Sequence, residues 1–145
     1  MKKLSILFVS VLTLGLAVTS CSSDDDDASI VGKWELSQVG TIVNGKEVYG
    51  PIENEGGCAI STFEYAADGT FTDTYSEFED NKCTPYTEKG KYVKDGNKLT
   101  LTYEGNTESD DAQEIIELSG STLKLKETYS ESGITVSAIG LYKRK

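Results

Sequence analysis

Histidine is absent from all 145 residues of the sequence. Its absence excludes Ser-His and Cys-His catalytic dyads, and also the zinc sites that contain histidine, because each of them needs an imidazole ring. Most familiar hydrolase mechanisms are therefore closed to this chain.

An apolar run long enough to span a bilayer comfortably is also lacking. The longest one, residues 4–18, falls short of the roughly 20 residues that a transmembrane helix needs. It follows Lys2 and Lys3 and ends at small residues, as a secretory signal does. Because Cys21 directly follows Ser20, the segment resembles the lipobox class of bacterial lipoprotein signals, in which this cysteine becomes the lipidated first residue. An ordinary signal peptide cut near the same place is the alternative.

Positive charge is scarce, with 14 lysines and arginines against 24 acidic residues. Removal of the predicted signal peptide, residues 1–20, would leave 12 basic residues and all 24 acids. A surface this negative repels nucleic acid and anionic lipid headgroups. We therefore expect no nucleic-acid partner, and we expect membrane contact only through the acyl anchor on Cys21.

Residues 24–27 are four consecutive aspartates. They lack the alternating spacing and the glycine of an EF-type calcium loop, so we predict a solvated tether over residues 21–29. The run also resembles the serine-plus-acidic signal that directs some Gram-negative lipoproteins to the outer face of the outer membrane. We expect a lipid-anchored outer-membrane protein exposed at the cell surface, with the periplasmic face as the alternative.

Three cysteines are present, and the assignment of Cys21 to the lipid leaves Cys58 and Cys83 as a pair. A secreted protein folds in an oxidising compartment, where such a pair forms a disulfide. We therefore predict a bridge between Cys58 and Cys83.

Residues 30–145 have the length of one domain and an all-β pattern, in which apolar and polar residues alternate in short runs separated by Gly, Asn and Asp. In the last run the apolar positions change parity between Val136 and Ile139, which predicts a β-bulge near Ala138. The pattern predicts eight strands, at 31–39, 60–66, 70–77, 86–94, 98–104, 112–118, 122–129 and 134–143.

Short turns such as Asp68-Gly69 and Ser119-Gly120-Ser121 connect these runs, so strands adjacent in sequence should pair. A meander of eight strands removes its two open edges by closing on itself. We therefore predict an all-β fold, a small eight-stranded antiparallel up-and-down barrel. A two-sheet sandwich with the same hairpins is the alternative.

Gly32-Lys33-Trp34 at the start of the first strand resembles the Gly-x-Trp motif of lipocalins. Together with the lipobox, the acidic tether, the run at Phe71, the two cysteines and residues 90–102, it makes the chain similar to bacterial lipocalin-like lipoproteins over residues 30–145. The resemblance implies that Trp34 packs at the closed end of the barrel beneath a late arginine. The closed-end motif would then be Gly32, Trp34 and Arg144, the single arginine of the chain.

Alternating strand directions place the connection 40–59, which has its own turn at Asn44-Gly45, and both cysteines at the end opposite Trp34. Lipocalins open at the corresponding end, so the resemblance implies a mouth there, and this connection is long enough to act as a lid. Strand parity predicts a set of polar and tyrosine side chains that face the interior near the mouth: Asp73, Tyr75, Tyr86, Glu88, Tyr103, Glu127 and Tyr129.

Polar groups above an apolar floor suit a pocket for a small amphipathic molecule. The alternative is that these residues are core and rim, because an eight-stranded barrel is about wide enough to be filled by its own side chains. Glu88 and Glu127 also fit the carboxylate pair of a glycosidase. Acidic residues are so frequent, 24 of 145, that chance pairs are expected. We predict no enzymatic activity, no cofactor and no metal.

Two functions fit these observations. The first is a surface protein that binds a small apolar or amphipathic molecule in the barrel. The second is an accessory or inhibitor lipoprotein whose loops bind another protein, and an acidic surface suits a basic partner through complementary charge. An internal cavity lined by the predicted residues would favour the first function.

Overall fold

The computed structural model describes residues 28–106, 111–131 and 134–145. The predicted signal peptide, Cys21 and the four aspartates lie outside these ranges. One 3-10 turn, Glu55–Gly57, is the helical structure found within them, and no described helix is long and apolar enough to cross a membrane. The strands are β1 (Gly32–Val43), β2 (Lys46–Gly50), β3 (Thr62–Tyr65), β4 (Thr70–Glu79), β5 (Lys82–Asp95), β6 (Lys98–Tyr103), β7 (Asp111–Leu118), β8 (Thr122–Glu131) and β9 (Ile134–Arg144).

Eight antiparallel strands close into a barrel. Strands β3 to β9 pair in chain order, and β1 joins the two ends of this meander by pairing with β3 over Gly32–Glu35 and with β9 over Trp34–Thr41. The predicted barrel is confirmed, and the alternative of a two-sheet sandwich is wrong. Strand β2 is additional to the eight and pairs with the distal half of β1.

Two connections at the mouth are tighter than the strand pattern predicts. The predicted loop 40–59 and the predicted gap 78–85 are wrong in part, because strands continue through much of both ranges. The turns at Asn44-Gly45 and Asp80-Asn81 have positive φ at both residues, which is the geometry of a two-residue hairpin turn. Asparagine and aspartate adopt a positive φ at lower cost than most residues. Hydrophobic alternation alone does not reveal the turn at Asp80-Asn81.

The apolar core fills the half of the barrel around Trp34. Ring contacts bind it together: Phe71 and Tyr103 meet edge to face at 5.0 Å between centroids, and Tyr65 and Tyr92 do so at 5.1 Å. Such pairs add about 0.5–1.5 kcal/mol each beyond the burial of their surface. The buried core cluster consists of Ile30, Trp34, Tyr65, Phe71, Leu99, Leu101, Ile115, Leu123 and Leu125.

The closed end is held by Arg144 on top of Trp34. The indole of Trp34 is fully buried, and its Nε1 donates to the carbonyl oxygen of Ile30 at 2.7 Å. The Arg144 guanidinium lies 4.1 Å from the centre of the Trp34 ring, a cation–π contact. It also donates to three backbone carbonyl oxygens, at 2.6–2.8 Å, of Ser29, Val31 and Gly120.

Gly32 leaves room for this arginine. Its φ of 133° lies in a region that side-chain-bearing residues rarely adopt, and a Cβ placed there would collide with the Arg144 guanidinium. The Gly-x-Trp pair and the late arginine therefore form one packing unit, in which the missing side chain at Gly32 gives Arg144 access to Trp34.

The predicted bulge near Ala138 is wrong. Strands β8 and β9 pair without interruption from Thr122↔Lys143 to Glu131↔Ile134. Register shifts lie instead on the partner strands, between Leu36 and Gln38 of β1 and between Ile115 and Glu117 of β7.

The change of parity in β9 arises because apolar residues on this strand face both sides of the sheet. Alternation directs Ile139 outward, yet it is only 2% exposed. Its partner on β1 is Gly40, which in turn pairs with Tyr49 of β2. A Cβ at Gly40 would lie 2.7 Å from Cδ1 of Tyr49, so the Tyr49 ring lies over this glycine, next to Ile139. Lys124 of β8 forms an ion pair with Glu47 of β2 at 3.3 Å, which links the β1–β2 hairpin to the barrel.

A disulfide joins Cys58 to Cys83 across 25 residues, with 5.5 Å between the Cα atoms, and the predicted bridge is confirmed. Cys83 lies in the β4–β5 hairpin opposite Phe78, whose ring packs against Gly56. The bridge therefore ties the segment between β2 and β3 to this hairpin.

Loss of the disulfide should destabilise the barrel. Replacing Cys58 and Cys83 together by Ala frees a loop in the unfolded chain, and we expect the free energy of unfolding to fall by about 3 kcal/mol and the Tm by roughly 10 °C. Thermal unfolding followed by circular dichroism measures the change. The double variant should not respond to reductant, whereas the original protein should. An unchanged Tm of the fully reduced original protein would contradict the expectation.

Replacing Arg144 by Lys keeps the charge but removes the planar fork that reaches three carbonyl groups and Trp34. We expect the free energy of unfolding, measured by urea denaturation, to fall by about 2 kcal/mol. Lys145→Gln is the matched control, because it removes an exposed ion pair to Glu35 that should contribute less than about 1 kcal/mol. Equal stabilities of the two variants would refute the role given to Arg144.

Candidate functional site

One wall of the upper barrel is formed by β4, β5 and β6 and holds five of the seven predicted interior residues. Asp73 pairs directly with Glu88 across the β4–β5 ladder. Tyr75 and Tyr86 form the next inward pair towards the mouth, and their rings stack at 5.4 Å. Tyr103 of β6 is the fifth member of this wall and contacts the core through Phe71.

Asp73 is the buried acid of this wall, with 9% of its surface exposed. Its Oδ1 atom is buried and has no hydrogen-bond partner. Burial, together with the negative charge of Glu88, raises the pKa of Asp73 to about 6, and a hydrogen bond from Tyr103 opposes the shift. Glu88, its direct cross-strand partner, is by contrast exposed. The structure therefore pairs a buried carboxyl group, whose pKa is raised, with an exposed carboxyl group.

The opposite wall carries the other two predicted residues, Glu127 and Tyr129 of β8. Gln113 Nε2 donates to one carboxylate oxygen of Glu127, and the Tyr129 hydroxyl donates to the other. Tyr129 is 55% exposed and stands at the rim, whereas Gln113 is 9% exposed. Both oxygens of Glu127 are thus engaged within the protein.

Gln113 belongs to the site although the strand pattern does not predict it. In the run 112–118, Ile116 and Leu118 mark the apolar face, and this parity directs Gln113 outward. The register shift between Ile115 and Glu117 reverses the parity, so that Gln113 and Ile115 face the interior. A second apolar residue next to Ile116 is the one signal of this bulge in the sequence.

A cavity of about 190 Å³ lies between β1, β7, β8 and β9 at this level. Of the seven predicted residues, Glu127 lines it. Burial raises the pKa of Tyr142 well above its usual range, and the charges of Glu127 and Asp73 add to the shift, so this ring lies under the influence of both walls. The lining includes apolar Leu36, Val39, Leu125 and Ala138 and polar Gln113, Glu127 and Tyr142.

An apolar rim continues the cavity wall towards solvent. Tyr129 pairs with Val136, and Val48 pairs with Thr41 one strand beyond the cavity. We define the apolar rim as Val43, Val48, Tyr129 and Val136, each of which is at least half exposed. These residues lie on the adjacent strands β2, β1, β9 and β8. Exposed apolar surface next to a cavity is typical of a binding entrance.

The remainder of the predicted lid lies beside the cavity. Residues 52–60 run above the short strand β3 and, with Leu36, Ser76 and Phe78, line a depression of about 210 Å³. The disulfide fixes this segment at Cys58. In the described parts of the chain, no three acidic or cysteine side chains are grouped closely enough to hold a metal ion.

The seven predicted residues therefore lie on two walls of the upper barrel, and their role in binding a ligand stays a prediction. The wall of β4, β5 and β6 presents Asp73 and four further polar or aromatic side chains. The wall of β8 presents Glu127 at the cavity and Tyr129 at the rim.

Comparisons with known proteins agree with the architecture. A crystal structure of a lipocalin-like protein from Bacteroides uniformis has 16% sequence identity and a TM-score of 0.50, with 79% of this chain and 97% of that chain covered. The crystal structure of an uncharacterized protein from Bacteroides eggerthii has 11% identity and a TM-score of 0.52, with 81% and 100% covered. At these identities the likeness shows the fold alone. Curated protein sequences give no significant match.

A family model described as a lipocalin-like domain matches residues 30–125, from the residue that receives the Trp34 hydrogen bond to the middle of β8. The match includes the Gly-x-Trp motif and most of the strands that close the barrel. The chain therefore belongs to the family of lipocalin-like domains.

Proposed function

We propose that this protein binds a small apolar or amphipathic molecule in the upper half of its barrel. The observation that carries the proposal is the cavity of about 190 Å³, which has an apolar lining from Leu36 to Leu125 and a few polar groups at one side. Binding sites for small molecules have this composition. The apolar rim gives a longer ligand a surface to follow out of the cavity.

The lower half of the barrel explains why the ligand would lie near the mouth. Trp34, Leu99 and Leu123 are fully buried there and fill the interior with their own side chains. Interiors packed in this way have no room for a ligand. The hypothesis that inward residues form a packed core thus applies to the lower half. We propose the pocket for the upper half.

We propose binding and not glycoside hydrolysis for the acidic residues. A glycosidase needs one carboxylic acid that gives a proton and one carboxylate that is free to act as base or nucleophile. Both oxygens of Glu127 accept hydrogen bonds from Gln113 and Tyr129, so this carboxylate is not free. Glu88 is exposed to solvent, so the two carboxylates form no enclosed pair.

Filling the cavity with a larger side chain should weaken the binding of a small apolar molecule. Ala138→Trp places an indole into the space, and we expect the affinity for the neutral fluorophore N-phenylnaphthylamine to fall at least about tenfold. Fluorescence titration measures it. Val93→Trp is the matched control, because Val93 is 65% exposed on β5 and lies outside the cavity lining. Both variants must first keep their β spectrum and unfolding midpoint. Unchanged binding by Ala138→Trp would contradict the cavity as the binding site and favour a protein partner bound by the loops.

We also propose that the protein is anchored through a lipid on Cys21 in the outer membrane, at the cell surface, or else on its periplasmic face. The support is the sequence alone: the apolar run 4–18, the small residue before Cys21 and the aspartates 24–27. Acyl chains bring an otherwise acidic protein to a membrane without a basic patch.

Replacing Cys21 by Ala should release the protein from the membrane fraction, because the acyl chains would be lost with the thiol. Cell fractionation and immunoblotting measure the distribution. A Ser23→Ala variant is the control that leaves the cysteine in place. Membrane association of the Cys21→Ala variant that persists in high salt would contradict a lipid anchor.

A further inference from the structure

We propose that the ligand of the upper barrel is an organic monocation, a primary or secondary ammonium on an apolar chain, with Asp73 as its counter-charge. The inference rests on the proposed function and specifies its ligand class. The ammonium would lie at the level of Asp73 and Gln113, and the chain would follow the cavity wall towards the apolar rim.

Several buried polar atoms lack a hydrogen-bond partner. Three buried side-chain atoms of the described residues have none: Tyr65 Oη, Asp73 Oδ1 and Gln113 Oε1. The amide oxygen of Gln113 and the ionised carboxylate of Asp73 can only accept hydrogen bonds, and the Tyr65 hydroxyl can also accept one. A buried polar atom without a partner destabilises the fold, because it has lost its hydrogen bonds to water. A ligand that relieves this cost must bring donors, and an ammonium brings two or three.

The charged groups on the two walls at this level are negative. Asp73 and Glu88 are direct cross-strand partners, and like charges in that position destabilise a sheet. Glu127 adds a third carboxylate on the opposite wall. Strand register directs Lys46 and Lys82 to the same inner face, but both lie at hairpin tips beyond this level. A bound cation would therefore meet negative charge on both walls.

The surroundings of Asp73 make its carboxylate the selective group. Five titratable groups interact with it: Glu88 from β5, Tyr103 from β6, Tyr65 from β3, Tyr142 from β9 and Tyr75 from its own strand, β4. Each is acidic or neutral, and none supplies a positive charge. The stacked rings of Tyr75 and Tyr86 lie one inward pair above and add the negative faces that attract cations.

An organic cation fits these groups better than other charged ligands do. A carboxylate ligand would bring more acceptors and like charge, and a quaternary ammonium would leave the acceptors without donors. A divalent metal needs more oxygen ligands than two facing carboxylates supply, and the described residues hold no group of three. Water could satisfy the same atoms, and the experiment below distinguishes it from a ligand.

The test compares three amphiphiles of one chain length, decylamine, decanol and decanoate, as competitors of N-phenylnaphthylamine bound to the purified protein at neutral pH. We expect decylamine to bind at least about tenfold more tightly than decanol, and decanoate to bind more weakly than decanol. The chain contributes equally to all three, so the differences report the head group.

Two further measurements assign the preference to Asp73. Asp73→Asn should lower the ratio of decylamine to decanol affinity about tenfold, because it removes the counter-charge at constant shape. Glu64→Gln is the matched control, since it removes the same charge from an exposed position on β3. Its ratio should equal that of the original protein.

The pH dependence gives the same information without a substitution. The carboxyl pKa of Asp73 is about 6, so the group is mostly protonated below that value and mostly ionised above it. Decylamine stays charged throughout. We therefore expect its affinity to rise about tenfold between about pH 5 and about pH 7, with no such rise for decanol and none for decylamine in Asp73→Asn.

The outcomes separate this inference from the function on which it rests. If N-phenylnaphthylamine binds and Ala138→Trp abolishes its binding, but decylamine shows no preference over decanol and no rise with pH, the barrel binds a neutral ligand and water satisfies the unpaired atoms. The cation inference is then overturned and the proposed function stands. If N-phenylnaphthylamine does not bind, or Ala138→Trp binds it normally, the proposed function itself fails.

Discussion

The contact between the Arg144 guanidinium and the Trp34 ring joins the first strand of the barrel to the last. Pairing of β1 with β9 brings together residues 97 to 110 positions apart in sequence, which has a high cost in chain entropy. The guanidinium offsets that cost by binding three backbone carbonyl groups as well as the ring. These contacts add to the β1–β9 ladder and to the ion pair between Lys145 and Glu35.

A firmly closed lower half permits an upper half that is not optimised for stability. Below, rings and aliphatic side chains fill the interior around Trp34. Above, Asp73 faces Glu88, polar atoms lack partners and a cavity interrupts the packing between β1 and β8. Each of these features costs free energy, and proteins tolerate such costs where function requires them. The barrel thus has a packed half that stabilises the fold and an upper half in which we propose binding.

The disulfide between Cys58 and Cys83 was predicted from the number of cysteines in a secreted chain, and the closed-end position of Trp34 from the resemblance to lipocalins. Side-chain alternation, together with the short turns, sufficed to predict the barrel. It could not predict two features that depend on distant neighbours. The inward position of Gln113 follows from a bulge, which shifts parity by one residue without a marked change of composition. The burial of outward-facing Ile139 follows from Tyr49, which reaches it across Gly40. The volume of the cavity depends on how all of these side chains pack.

The hydrogen bond from Arg144 to the carbonyl of Ser29 also fixes the direction in which the chain enters the barrel. Ser29 lies at the closed end, and the proposed anchor on Cys21 precedes it by eight residues in the sequence. The anchor would therefore be attached at the packed end of the barrel, and the proposed pocket would open at the end away from this point of attachment.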